Sequence, residues 1–202
     1  MTKHLADSVR IHPLDSQQRL FGVPGWTGAT VGEYWRWAYS DIVGNTSRGL
    51  LAQFIVAKAL GDLREVINVW ASYDVVASDG TTVEVKSAAY LQSWRQTKYS
   101  RIQFGIAETW AWDPETGAFT GTGQRRQSDG SVFALLGEKD KAKVNPLDLR
   151  QWEFYVVSTS VLNAELGSAK SISLARLSRM SRSFRVRELA AAVENRAERE
   201  EA

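Results

Sequence analysis

Cysteine is absent from the 202 residues. That excludes a disulfide scaffold, a thiol nucleophile and thiolate zinc sites. Histidine is nearly absent: His4 and His12 both fall in the first dozen residues and read as arm residues rather than ligands. Histidine-centred metal sites, nucleases with a histidine base and Ser-His-Asp hydrolases are therefore excluded from the body of the chain. No apolar run reaches the roughly 18 residues that span a bilayer. The opening MTKHLADSVR lacks the apolar core of a signal peptide. The expected compartment is the cytoplasm, with no membrane partner. A large excess of either charge is also missing, since 25 basic and 23 acidic residues leave a formal +2. The sum neither requires nor forbids nucleic acid, so the distribution has to decide.

What is present suits a globular chain with a core of its own, since 44% of residues are hydrophobic and 24% charged. Residues 1–29 read as an N-terminal arm, because FGVPGWTGAT is Gly- and Pro-bearing and aperiodic. A main domain is expected over 30–187 and a frayed helical tail over 188–202. VGEYWRWAYSDI, 31–42, has Tyr34, Trp35, Ala38 and Ile42 at helical spacing. Tyr34, Trp35 and Trp37 can stack on bases, but core packing is the simpler reading of an aromatic helix. Asn45, Thr46 or Ser47 can cap a second helix, RGLLAQFIVAKAL, which is apolar on most of its surface and stops at Gly61.

Two β-branched runs then flank Ser78-Asp79-Gly80, a hairpin signal. A three-residue loop pairs Ala77 with Thr81, Val75 with Val83 and Asp74 with Glu84. That register gathers Val75, Val83 and Val85 on one face and Asp74, Glu84 and Lys86 on the other. Further strands are expected at RIQFGIA, SVFALL and WEFYVVS, with a turn at WDPETG and a loop at GTGQRRQSDG. SVLNAEL reads as a short helix, and KSISLARL as a strand running into a helix. The order indicates a mixed α/β fold.

Two carboxylates and a lysine crowded on one hairpin face repel unless positive charge sits between them. Lys86 supplies part of that charge. A hard divalent cation on carboxylate and carbonyl oxygens would supply the rest. This is a parts list for metal-assisted phosphodiester hydrolysis; the bland alternative is a solvated ion-pair face. Asp74, nine residues, then Glu84-Val85-Lys86 resembles the PD-(D/E)xK motif of the restriction-endonuclease-like nucleases. The likeness covers about residues 44–137: the buried helix before the hairpin, the motif, a Gln- and aromatic-bearing segment with Tyr90, Gln92, Trp94, Gln96 and Tyr99, and the strands RIQFGIA and SVFALL.

The resemblance implies a restriction-endonuclease-like core, a central mixed β-sheet flanked by helices. It implies that Asp74, Glu84 and the backbone carbonyl of Val85 hold Mg²⁺ or Mn²⁺, that Lys86 positions the attacking water, and that products carry a 5′-phosphate and a 3′-hydroxyl. Tyr73 stands where the motif has proline. Where the preceding helix of such nucleases often has a metal-supporting glutamate, the best-placed residue is Gln53, a neutral and weaker ligand. A single-metal site, a weakened site and an altered residue all fit that change. Gly49, one turn earlier, would let the hairpin come close. Gln92 and Gln96 are candidates for holding the site or touching substrate, or are plain surface residues.

Basic residues cluster despite the near-zero sum. Arg95, Lys98 and Arg101 follow the hairpin among aromatics, and Arg125 and Arg126 lie in the Gly-rich stretch. Residues 170–187 carry six basic residues, Arg179, Arg182 and Arg185 among them, and no acid. These are candidate phosphate contacts, unless they are a solvated face or are neutralised by the acids of 188–202. Gly121-Thr122-Gly123 is too short for a dinucleotide fingerprint. The expected activity is a Mg²⁺-dependent nuclease acting on DNA, in restriction, repair or phage defence. Two active sites are needed to cut both strands of a duplex, which makes a homodimer a candidate assembly. The rivals are an inactive nucleic-acid-binding module of the same fold, an assembly subunit and a nuclease directed at RNA.

Overall fold

A computed structural model describes residues 11–25, 28–62, 64–113 and 116–196. The order is α1 (Val31–Tyr39), α2 (Asn45–Leu60), β1 (Val75–Val76), β2 (Thr82–Ala89), β3 (Gln103–Gly105), β4 (Thr109–Asp113), β5 (Ala118–Arg125), β6 (Gly130–Leu136), β7 (Trp152–Ser158), α3 (Thr159–Leu166), β8 (Ser171–Ser173), α4 (Leu174–Met180) and α5 (Leu189–Glu194). The protein is mixed α/β. Its main sheet runs β1-β2-β6-β7, with β2 and β6 parallel and the other pairs antiparallel.

β6 holds the sheet together. Every residue of GSVFALL is buried, as expected of a central strand covered on both faces. Its alternation feeds two cores. Val132, Ala134 and Leu136 join Ala52, Ile55 and Val56 of α2 and Leu189 and Val193 of α5. Phe133 and Leu135 face the other way, onto Phe104, Leu162, Ile172 and Leu177. Phe104 and Phe133 meet edge-on at 5.2 Å. Sheet and helices therefore form layers, with α2 and α5 on one face and α3, α4 and the β3–β8 pair on the other.

Several expectations change. RIQFGIA contributes only the short β3, which pairs with β8 rather than with the main sheet. The Gly-rich stretch is a loop only over residues 126–129: Gly121, Thr122 and Gly123 lie in β5, which pairs with β4 as a separate ribbon. β5 is exposed along its whole length, so no burial alternation marks it. α1 ends at Tyr39 and keeps Tyr34, Trp35 and Trp37 at 49, 39 and 86% exposure, which overturns core packing for them. Arm residues 16–20 hydrogen-bond to 29–32, and a Thr30–Glu33 capping box starts α1. A Cβ added at Gly49 would meet nothing within 4 Å, so the hairpin does not come close at this position. The end of the chain is not a loose tail throughout, because Leu189 and Val193 are buried in the core. Among the described residues no helix is long and apolar enough to cross a membrane.

α2 begins without a side-chain cap. Asn45 Oδ1 instead accepts from Arg48 Nη2 at 2.8 Å. Arg48 is 3% exposed and also donates to the Val43 carbonyl at 2.8 Å, Ser87 Oγ at 3.3 Å and Gln92 Oε1 at 3.4 Å. All four partners are neutral, and burial lowers its pKa from the usual arginine value. This side chain pins the start of α2 to β2 and to the loop that follows β2. Arg48→Ala leaves the buried Gln92 amide oxygen and the partly buried Val43 carbonyl and Ser87 hydroxyl without this donor and should cost about 2–3 kcal/mol of unfolding free energy in urea titration. Arg48→Lys should recover little of it, because an ammonium cannot reproduce the planar fork.

Candidate active site

Gly80 at φ +89° and the Ala77 N–H to Thr81 carbonyl bond close the three-residue hairpin loop. Val75 then faces Val83 and Val76 faces Thr82. Val75, Val83 and Val85 are buried in the core, and strand alternation turns Glu84 and Lys86 to the opposite face. Asp74 directly precedes β1, at the edge of the sheet. Its Oδ2 accepts from the Val85 N–H at 2.7 Å, and its Oδ1 accepts from Gln53 Nε2 at 2.8 Å. The Lys86 ammonium donates to Glu84 Oε1; their side chains remain 38 and 30% exposed. Asp74, Glu84, Lys86, the Val85 backbone and Gln53 thus come together.

The Gln53 amide is oriented by charge. Its NH₂ must face the Asp74 carboxylate, and this leaves Oε1 buried with no hydrogen-bond partner. Burial pushes the Asp74 pKa from 3.8 to about 6, helped by the Glu84 charge and opposed by the Val85 N–H, Lys86 and Arg64. A second pair steadies the backbone here. Arg64 donates to the Asp74 carbonyl at 2.7 Å and grips Asp62 with two nitrogens. Asp62 Oδ2 also accepts from the Val76 N–H at 3.1 Å. Burial works against ionisation of Asp62, but Arg64 and the two backbone donors outweigh it and hold its pKa at about 2. Neither residue stands out in the sequence, because the turn they bridge has no periodicity; an Asp and an Arg two apart after a helix-ending glycine was the available signal.

Gln92 and Gln96 do not reach this site. Gln92 is 7% exposed and bonds Arg48, Ser100 and the Ala89 carbonyl, while Gln96 ties the Gln92 N–H to Ser100 and the Tyr90 carbonyl. Both staple the 90–101 loop. Among the basic candidates, Arg126 is spent on Asn163 and the carbonyls of Ile106, Gly167 and Ala169. Arg185 donates to the Arg150 and Trp152 carbonyls. Arg182 lies 4.0 Å from the Phe184 ring centre and pairs with Glu188, and Arg125 bonds Gln127. The side chains of Arg95, Lys98, Arg101 and Arg179 are exposed and have no polar partner among the described residues.

The first three of these belong to a larger basic rim. β2 and β6 are parallel neighbours, so the loops leaving their carboxyl ends meet. Lys141 donates to the Trp94 carbonyl at 2.6 Å, and Lys139 sits 4.5 Å from the Tyr90 ring centre. Lys139 and Lys141 went unread, although the EKDKAK run carried the signal. At the rise of an extended strand, Lys86 lies about 13 Å from the residue that opens this rim.

Two carboxylates, a backbone carbonyl and an amide oxygen form an all-oxygen donor set that suits Mg²⁺, which binds through one or two carboxylates and keeps its waters. Among the described residues no three His, Cys, Asp or Glu side chains converge, so any such ion would rely on neutral oxygens. The orphaned Gln53 Oε1 is one. A comparison of the chain with protein-family models and with curated proteins finds no match.

The raised Asp74 pKa has a stability consequence with a definite sign. Between about pH 4 and 6 the folded state keeps a proton that the unfolded state has lost, so this group's contribution falls as pH rises and levels off above 6. The fall is on the order of 2–3 kcal/mol. Asp74→Asn removes it. In metal-free buffer, the unfolding free energy of the variant minus that of wild type should therefore climb from pH 4 to about 6.5 and then stay flat. A difference that does not change with pH would contradict the assignment.

Proposed function

We propose that the chain is a metal-dependent nuclease of the restriction-endonuclease-like type, acting on DNA. The observation that carries this reading is the Asp74 carboxylate fixed between the Val85 N–H and the Gln53 amide, with Glu84 and Lys86 beside it and a buried amide oxygen lacking a donor. Mixed sheet topology, the preceding helix and the hairpin register support the likeness without an accompanying family match.

Asp74, Glu84 and the Val85 carbonyl would hold the cation, and Gln53 Oε1 would join them only if its amide turned over and gave up its bond to Asp74. When bound, it neutralises phosphate charge and acidifies water. The chain's residues do the rest. Val85 and Gln53 fix the Asp74 carboxylate so that it needs no reorganisation. The Arg64–Asp62 pair holds the Asp74 backbone. Lys86, freed from Glu84 when that carboxylate is engaged elsewhere, donates a hydrogen bond to the attacking water and offsets charge growing on the phosphoryl oxygens. Water oxygen bonds to phosphorus and gives up one proton to bulk solvent, the bond to the 3′ oxygen breaks, and that oxygen takes a proton from solvent. The products are a 5′-phosphate and a 3′-hydroxyl. Arg95, Lys98, Arg101 and the lysines of the rim would track the phosphate backbone.

A second reading keeps the fold and the binding but not the hydrolysis. The neutral Gln53 and the closed Glu84–Lys86 pair favour it. Cleavage of supercoiled, linear and single-stranded DNA and of RNA, in Mg²⁺, Mn²⁺ or EDTA, separates the two. The nuclease reading expects metal-dependent cleavage, lost in EDTA and reduced at least about 100-fold by Lys86→Ala. Gln53→Glu should tighten Mg²⁺ binding and lower the melting temperature of the metal-free protein, because a third carboxylate then crowds Asp74. No cleavage of any substrate by wild type or Gln53→Glu would leave the binding module.

A further inference from the structure

The centre built on Asp74 opens at one end into a cavity of about 560 Å³ between α1, α2 and residues 62 and 64–74. Gln53 and Asp74 line that end. The walls are aromatic: Trp35 and Tyr39 on α1, one helical turn apart, and Phe54 on α2. These rings are 39, 42 and 58% exposed. Lys58 places its ammonium 5.6 Å from the Phe54 ring centre, at the mouth. Asp62, which also lines the cavity and has 5% side-chain exposure, is already neutralised by Arg64.

An aromatic slot with a lysine at its lip, beside a phosphodiester-cleaving centre, matches a planar, uncharged ring on a charged tether. A nucleobase one sugar away from the phosphate at Asp74 has that description. A base inside a duplex does not, because its faces are stacked and only its edges are open to the grooves. Entry into the slot requires a base out of the stack. We propose that the cavity takes an unpaired nucleobase next to the scissile phosphate, so that the substrate is single-stranded DNA or a locally unpaired strand. The same loop continues the surface: Trp70 is 64% exposed and lies 6.5 Å from Trp112, whose ring meets Phe119 of the β4–β5 ribbon at 5.1 Å. This row of rings gives the next unpaired bases a platform.

The proposal rests on the nuclease reading for its scissile phosphate, and the test keeps the two apart. The full chain carrying Lys86→Ala is titrated by fluorescence anisotropy with a labelled single-stranded oligonucleotide and with its matched duplex, in Mg²⁺ at fixed salt. Phe54→Ala and Trp35→Ala are then added one at a time; both side chains are exposed, and thermal melting checks that the fold survives. The single strand should bind at least about tenfold tighter than the duplex. Each aromatic loss should weaken single-strand binding by about 5- to 100-fold and leave duplex binding within about twofold. A 2-aminopurine base placed along the strand should be quenched at one position, and Phe54→Ala should restore its emission.

Equal affinity for both forms, a duplex preference, an equal loss on both, or no loss at all would overturn the proposal. So would a slot filled by a second copy, seen as a dimer that Phe54→Ala dissociates. Parallel Mg²⁺ calorimetry and cleavage by the Lys86-containing chain report on the nuclease reading alone. Metal binding and cleavage without an aromatic effect sink the slot and spare the nuclease. Quenched, Phe54-dependent single-strand binding without cleavage does the reverse.

Discussion

The register of the β1–β2 hairpin is the constraint on which the rest of the molecule depends. With Val75 opposite Val83, alternate residues of β2 serve two purposes. Val83 and Val85 lie under α2 in the core, and Glu84 and Lys86 emerge on the other face. A slip by one residue would exchange the two sets, burying the charges and exposing the valines. Burial energy therefore enforces the position of the charged groups: each buried valine is worth about 1.5–3 kcal/mol. The chemistry of the face is held in place by the oiliness of its reverse.

Around that register the charges are arranged in two tiers. Asp62 and Arg64 form a tight, well-satisfied pair that acts on backbone, fixing Val76 and the Asp74 carbonyl. Asp74 is the opposite case, a carboxylate partly stripped of water and next to Glu84, with only neutral or shared donors. One tier is at rest and the other is under electrostatic load. A neutral amide at Gln53 moderates the load, since it donates to Asp74 without adding charge.

How much of this could be read from the chain depends on whether the signal was local. The hairpin, its loop and the Asp74, Glu84, Lys86 face were legible, because period-two alternation around a glycine turn is a short-range pattern. So were β6, α3 and the β8–α4 join. The Asp62–Arg64 pair was not, since it bridges an irregular turn. Arg48 was hidden inside an apolar helix, where its acceptors come from distant segments. β5 carries no alternation because no side of it is buried. The basic residues of 170–187 misled by count: Arg182 and Arg185 turn back on an acid and on carbonyls. Charge tallies do not show which cations are already engaged.

The parallel pairing of β2 with β6 bears on how the chain reaches this state. The hairpin closes over three residues, whereas β2 meets β6 only after the forty residues between Ala89 and Gly130. Closing so long a connection carries an entropic cost that local contacts do not. The charged face of the hairpin can thus be drawn together early, while the strand that buries its neighbours arrives late. Until β6 docks, the edge of β2 away from β1 stands open as a row of unpaired backbone donors and acceptors. The interval before docking is when this chain is most exposed to self-association.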